Sequence, residues 1–195
     1  TRSYSGTGVQ TCALPISYML AQPLASKPGE KFAYCNFGYA LLAALVEVVS
    51  GRSFEEFSRE KLFRPAGLKE TGFVRDPALD GKRAAARLIE GRPGATATEW
   101  HWGWGYRGMG GVVSSALDLL RWDRALRGEA VLDAKTKALL YTPEKEGYAC
   151  GWLVALTPRG TTRVQHSGSV AGFAVQFVRH LEEDAVVVLL SNGRS

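Results

Sequence analysis

The chain has 195 residues, of which 46% are hydrophobic and 22% charged, and its net charge is +5. These fractions are ordinary for a globular protein, and they exclude wholesale disorder, collagen and coiled coil. No apolar run approaches the roughly 18 residues of a membrane span, and the spread of the basic excess favours a solvated surface over a nucleic-acid site. Three scattered cysteines match neither a disulfide framework nor a zinc site, so no metal or cofactor is expected.

The start of the chain predicts a segment that is foreign to the fold. Residues 7–16 read like the translation of a common sequencing adapter, and a natural polar arm is the alternative interpretation. We therefore assign 1–16 as a non-native, adapter-like segment. Residues 17–145 are expected to form the mainly helical part of one domain, and 146–195 its antiparallel sheet part.

Helical spacing and end signals predict the elements of the first part. Phe37–Ser50 is apolar at helical spacing and is predicted to be a buried helix ending at Gly51, its apolar positions being Leu41, Leu42, Leu45, Val46 and Val49. Ser53 and Glu56 form a capping box that opens a second helix, which Pro65 ends at about Arg64.

Three further predictions lie between that proline and the sheet. Residues 76–94 are polar and rich in Gly and Pro, which predicts a long loop or a subdomain excursion. A second capping box, Ser115–Asp118, opens a helix that ends at Gly128. Asp133 is expected to cap a short helix through Tyr141.

After Pro143 the pattern changes from helical to extended. Strands are predicted at 148–156, 162–166, 173–180 and 185–191. Because the turns between them are short, they favour an antiparallel meander over βαβ units. The continuous apolar run Val186–Leu190 predicts a strand buried on both faces. Helices followed by an antiparallel sheet indicate a mixed α/β fold of the α+β type.

Two short motifs could carry chemistry. Tyr34–Asn36 lies just before the first helix, and His166–Ser169 lies at the end of a strand. Taken singly, each has a plain structural interpretation: Tyr34 as a packed aromatic, Asn36 as a helix N-cap and His166 as an ordinary strand residue.

Two neighbouring features receive no catalytic role. Cys35 is interpreted as a small buried filler in preference to a reactive thiol. The aromatic run Trp100–Tyr106 could wall a substrate cleft, or it could pack a glycine-rich loop onto the core.

Together with the sequence around them, the two motifs resemble the serine β-lactamase and penicillin-binding-protein-related family. The resemblance is to the class C-like branch that also holds D-Ala-D-Ala carboxypeptidases and esterases. It extends over about residues 27–193, and the matching blocks occur in the family's order at 32–42, 49–54, 63–73 and 110–119. It implies a β-lactamase/transpeptidase-like fold that is incomplete at both ends.

The resemblance also implies a nucleophilic serine that is acylated by an amide or ester carbonyl. Tyr34 would be the base, and Asn36 would bind the family's lysine and the substrate amide. A phenol, with a pKa near 10, can serve as a base only beside stabilising cations. His166 stands where relatives have lysine, so its charge would depend on pH.

The residues after His166 are implied to bind the substrate and its oxyanion. Ser167, Gly168 and Ser169 would form this segment. Gly168 leaves room for a substrate along the strand edge, and the Ser169 amide would be one of the two oxyanion donors.

The family's Ser-x-x-Lys motif should precede Tyr34, but no serine there has a lysine three residues later. The pattern occurs once, at Ser58–Lys61, inside a predicted helix, and is interpreted as a decoy. The expected function is therefore an inactive fragment of a serine hydrolase, with peptidase or esterase activity favoured over efficient β-lactamase activity. The alternative is a non-catalytic, penicillin-binding-like recognition domain.

The expected partner is a small-molecule or peptide substrate, with no nucleic acid and no membrane span. The sequence assigns no location: relatives that act on cell-wall peptides are exported, which would suit a periplasmic or secreted parent, but no export signal is recognisable in this sequence.

Overall fold

The helices of the first part form close to where the sequence predicts them. A computed structural model describes residues 17–18, 20–74, 76–82, 85–87, 93–96, 106–170 and 172–193. The adapter-like segment and most of the Trp100–Tyr106 run lie outside this part of the chain. The helices are α1 (Asn36–Ser50), α2 (Phe54–Ser58, continued by a π-helical turn at Arg59–Phe63), α3 (Ala116–Arg127) and α4 (Ala134–Tyr141).

The sheet confirms the predicted antiparallel meander. The strands are β1 (Gly72–Phe73), β2 (Ala85–Arg87), β3 (Pro93–Thr96), β4 (Val112–Val113), β5 (Leu153–Leu156), β6 (Thr162–Val170), β7 (Phe173–His180) and β8 (Ala185–Ser191). Strands β5 to β8 pair in chain order, each antiparallel to the next. Two antiparallel pairs, β1 with β4 and β2 with β3, stand apart from that sheet. The 76–94 region predicted as a loop therefore contains β2 and the start of β3.

Local capping chemistry explains why α1 and α2 meet at a sharp corner. Gly51 has a φ of 67°, and its N–H donates to the Glu47 carbonyl oxygen at 2.9 Å, a left-handed C-cap that glycine favours. Ser53 Oγ accepts the Glu56 N–H, and the Glu56 carboxylate accepts the Ser53 N–H. Both predicted signals are confirmed. The buried Glu47 carboxylate also accepts the Phe54 N–H at 2.9 Å, which joins the two helices.

The prediction of a second capping box is confirmed for Ser115 but is wrong for the Asp118 side chain. Ser115 Oγ accepts the Asp118 N–H at 3.2 Å, as predicted. The fully buried Asp118 carboxylate, however, accepts hydrogen bonds from a distant segment: from the Lys69 and Glu70 N–H groups and from Thr71 Oγ1. Burial acts to raise the pKa of Asp118, but the hydrogen bonds together hold it below its usual value. Asp118 therefore ties residues 69–71 to α3.

The prediction that α1 is a buried apolar helix is wrong. Its buried side chains are small or charged, namely Ala40, Ala43, Ala44 and Glu47. Most of its large apolar side chains are exposed, Leu45 to 55% and Val49 to 79%, whereas Val46 is half-buried. The helix packs closely through alanines because its neighbours approach its backbone, and hydrophobicity alone cannot indicate which face is covered.

The prediction that β8 is buried on both faces is also wrong. Val186 and Val188 share one face and are half-buried. Val187 and Leu189 share the other face and are exposed to 48% and 61%. Among the described residues, only one face of the strand is covered.

Gly108 shows how closely the loop before β4 approaches α1. Its φ is +80°, and a Cβ there would lie 2.3 Å from the Tyr39 carbonyl oxygen. Gly81 has a similar φ of +75° but nothing within 4 Å of an added Cβ.

Both Gly→Ala variants incur the left-handed penalty of about 1–2 kcal/mol, and Gly108→Ala adds overpacking of about 1–3 kcal/mol. Urea unfolding should therefore show that Gly108→Ala is less stable than Gly81→Ala by about 1–3 kcal/mol. Equal stabilities for the two variants would contradict the close approach of this loop to α1.

Neither a single membrane-spanning helix nor a metal-binding cluster occurs among the described residues. No single helix among them is long and apolar enough to cross a bilayer; α1 and the Phe54–Phe63 helix pass that test only as a pair, which is bent by 83°. The described part of the chain also contains no group of three or more His, Cys, Asp or Glu side chains that could hold a metal ion.

Candidate active site

The two sequence motifs meet at an open cavity of about 930 Å³ beside β6. Tyr34 lines it from the segment before α1, and His166, Ser167, Gly168 and Ser169 line it from β6. Apolar side chains of β5, β7 and β8 complete much of the wall, including Leu153, Val175, Leu189 and Leu190. The cavity is therefore mainly apolar, with hydroxyl and imidazole groups on one side, as is usual for small-molecule sites.

The His166–Ser169 motif lies inside a strand, whereas the sequence predicted the strand's end. β6 extends to Val170 because His166 through Val170 pair with β7, from His166–Phe177 to Val170–Phe173. On the other side, β5 pairs with β6 only as far as Gln165. From His166 onward, β6 thus has an edge unpaired by any described strand, where an extended ligand could add backbone hydrogen bonds.

Gly168 is constrained by its neighbour on β7. A Cβ at this position would lie 3.2 Å from Val175 Cγ1, a contact that is tighter than normal. Because Gly168 lines the cavity, a side chain at this position would also take up space beside the motif. The glycine leaves that space free.

Tyr34 lies beside His166 although the two are far apart in sequence. Its ring centroid is 6.1 Å from that of His166 and 6.0 Å from that of Tyr148. The side chain is 55% exposed. An exposed phenol at the mouth of an apolar cavity is accessible to a ligand.

Asn36 and Cys35 occupy positions that differ from their structural interpretations. Asn36 is the first residue of α1, and the N-cap is Cys35, which makes no side-chain cap hydrogen bond. Asn36 is exposed and is not among the described residues that line the cavity. Cys35 is exposed, so the expectation of a buried filler is wrong.

Tyr148 is the site residue that sequence reasoning missed. Its hydroxyl lies 3.0 Å from His166 Nε2, and its ring is 5.2 Å from that of Phe32. It reaches the site through isolated bridges to Lys145 and Leu153, outside any regular strand. Among seven tyrosines in the chain, no spacing signal distinguishes this one.

The Ser58–Lys61 pattern is absent from the cavity. Ser58 is buried in α2, whereas Lys61 is exposed and pairs with Glu60, Nζ to Oε1, at 3.7 Å. Neither residue lines the site. One side chain is buried, the other is exposed, and both lie away from the cavity. They therefore cannot act as a nucleophile and its lysine at this site.

Comparison with known sequences gives a consistent set of relatives. The Beta-lactamase family model matches residues 4–195. Penicillin-binding protein 4* of Bacillus subtilis (strain 168) is 28% identical over 190 residues, which cover 85% of this chain and 41% of that protein. The D-alanyl-D-alanine-carboxypeptidase/endopeptidase AmpH of Escherichia coli (strain K12) is 31% identical over 105 residues, covering 54% of this chain and 26% of that protein.

Solved structures agree with the sequence matches. The octameric penicillin-binding protein homologue from Pyrococcus abyssi has a TM-score of 0.80 and 27% identity, covering 96% of this chain and 45% of that one. The D-amino acid amidase from Ochrobactrum anthropi SV3 complexed with D-phenylalanine shares the fold, with a TM-score of 0.75 at 20% identity, covering 98% and 59%.

The chain spans less than half the length of the curated relatives it matches most fully, at 41%, 42% and 48% of their sequences. The expected fold class is confirmed by helices, an antiparallel sheet and neighbours with TM-scores near 0.8. With a family match over nearly all of its residues, the chain belongs to the Beta-lactamase family.

Proposed function

We propose that this chain forms one side of the active site of a serine hydrolase that acts through an acyl-enzyme on amide or ester substrates. The observation that carries the proposal is the convergence of Tyr34 with the His166–Ser169 motif at one cavity. Relatives named as a D-aminopeptidase and a D-alanyl-D-alanine carboxypeptidase support hydrolysis of small peptides or amides.

Tyr34 is the proposed base of the reaction. It is exposed at the cavity, so a serine hydroxyl placed there could pass it a proton. No Lys or Arg is among the described residues that line the cavity, so the cation needed to stabilise a phenolate must come from elsewhere. The lysine of a Ser-x-x-Lys motif would supply it, and Asn36 would bind that lysine.

The unpaired edge of β6 is the proposed substrate track. A peptide or acyl group lying along His166–Ser169 would exchange backbone hydrogen bonds with the strand. In that position the Ser169 N–H would point at the developing oxyanion, and losing one such donor costs about 10²–10³ in rate in a known protease. His166 in place of a permanent lysine charge favours a peptidase or esterase over an efficient β-lactamase.

The chain itself is proposed to be inactive, because no serine before Tyr34 has a lysine three residues later. A fluorescent penicillin and a fluorophosphonate probe test this. We expect neither to label this chain and both to label the full-length gene product on a serine upstream of Tyr34. Covalent labelling of this chain would contradict the assignment.

A second candidate is a recognition domain that binds D-Ala-like peptides without covalent chemistry. The apolar cavity beside an unpaired strand edge favours it, since such a site can bind a peptide without a nucleophile. It predicts that the full-length product stays unlabelled and still binds the peptide reversibly in calorimetry. Recovery of the upstream coding sequence gives a further test, since a Ser-x-x-Lys motif there would exclude this candidate.

A further inference from the structure

Both ring nitrogens of His166 have partners within the protein. Nδ1 lies 2.8 Å from the Ser167 carbonyl oxygen, and Nε2 lies 3.0 Å from the Tyr148 hydroxyl. A carbonyl oxygen can only accept a hydrogen bond, so Nδ1 must carry a proton. In the neutral ring, Nε2 is then an acceptor and the Tyr148 hydroxyl must donate to it.

Tyr148 is suited to remain a donor. Burial, followed by the neighbouring Tyr39 side chain, raises the pKa of Tyr148 above its ordinary value near 10, so its hydroxyl keeps its proton. Tyr148 and His166 thus form a hydrogen-bonded pair that joins the segment before β5 to β6.

Hydrogen bonds, and no ion pair, orient the imidazole. No Lys, Arg, Asp or Glu is among the described residues that line the cavity. The ring is held by aromatic neighbours, with centroids 6.0 Å from Tyr148 and 6.1 Å from Tyr34. Which nitrogen of a histidine is protonated is set by the hydrogen bond that the other nitrogen makes.

We infer that Tyr148 is a positioning residue of this site, which holds neutral His166 in the Nδ1–H form by occupying Nε2. His166 then offers no unshared lone pair to a substrate, and the Tyr34 hydroxyl is the group available to take a proton. The meaning for catalysis rests on the proposed hydrolase function. The hydrogen-bond assignment does not depend on that function.

The test is the tautomer of His166 in the ¹⁵N-labelled chain, read by long-range ¹H–¹⁵N correlation at a pH where the ring is neutral. His166→Gln identifies the signal among the three histidines. We expect Nδ1–H in the wild type. Tyr148→Phe removes the donor and keeps the ring, so the ratio of Nδ1–H to Nε2–H should fall by about 2- to 10-fold, as expected for one net hydrogen bond.

Tyr39→Phe is the matched control, because it removes the hydroxyl of a neighbouring tyrosine but leaves the Tyr148 donor. It should retain the Nδ1–H form. Nε2–H in the wild type would overturn the inference even if Tyr148→Phe does not fold, and so would an unchanged ratio in a folded Tyr148→Phe. Either result leaves the probe-labelling test of the hydrolase function untouched, so the two failures are distinguishable.

Discussion

Tyr34→Phe is expected to lower the rate of acylation of the full-length gene product by about 10²–10⁴-fold, the usual contribution of a positioned general base. The variant removes one hydroxyl and keeps the ring that contacts His166 and Tyr148. Packing should therefore persist while proton transfer fails. The measurement is the rate of covalent labelling by a fluorescent penicillin or of hydrolysis of a small ester.

Tyr18→Phe provides the control for that experiment. Tyr18 is 67% exposed and is not among the described residues at the cavity, so the same chemical change there should leave the rate unaltered. Unchanged turnover in Tyr34→Phe would remove Tyr34 from the base role and would direct attention to the other groups at the cavity.

Asp123→Asn is expected to destabilise the chain by about 3–5 kcal/mol, since it leaves a buried charge without its partner. Asp123 and Arg179 are 2% and 3% exposed, and Arg179 Nε donates to Asp123 Oδ1 at 2.5 Å. Arg179 also donates to the Tyr141 hydroxyl. This cluster joins α3, α4 and β7, so its loss should weaken the contact between helices and sheet.

Urea unfolding followed by far-UV circular dichroism measures this loss. Glu60→Gln is the control: Glu60 pairs with Arg52 at the surface, where their side chains are 41% and 49% exposed, and such pairs contribute at most about 1 kcal/mol. Arg179→Met added to Asp123→Asn should recover part of the stability. Equal midpoints for the two single variants would show that the buried pair matters no more than a surface pair.

Several element boundaries follow from local chemistry and were therefore predictable, but β6 ends at Val170 and not at His166, and β5 begins at Leu153 and not at Tyr148. The Ser53–Glu56 box, the Gly51 cap and the Asp133 cap act within one turn of chain. Strands β7 and β8 begin and end where predicted, at Phe173–His180 and Ala185–Ser191. Their ends are set by adjacent turn residues, which the sequence shows directly.

Burial was not predictable in the same way. The outward face of α1 and the exposed residues of β8 are as apolar as a core, yet Val49 and Leu189 are exposed to 79% and 61%. Apolar periodicity indicates that a surface can be buried; only the position of the other elements decides whether it is. Asp118 is the opposite case, a charged residue that is fully buried because a distant loop supplies its hydrogen bonds.

The same distinction between local signals and tertiary contacts applies to the candidate active site. By itself the sequence determined the two motifs, because the residue types and their family-like context are local properties. Only the tertiary structure placed Tyr34 6.1 Å from the His166 ring, opened the edge of β6 beyond Gln165, and added Tyr148. These depend on antiparallel pairing and on contacts between residues far apart in the chain, and neither spacing nor composition encodes a distance between two segments.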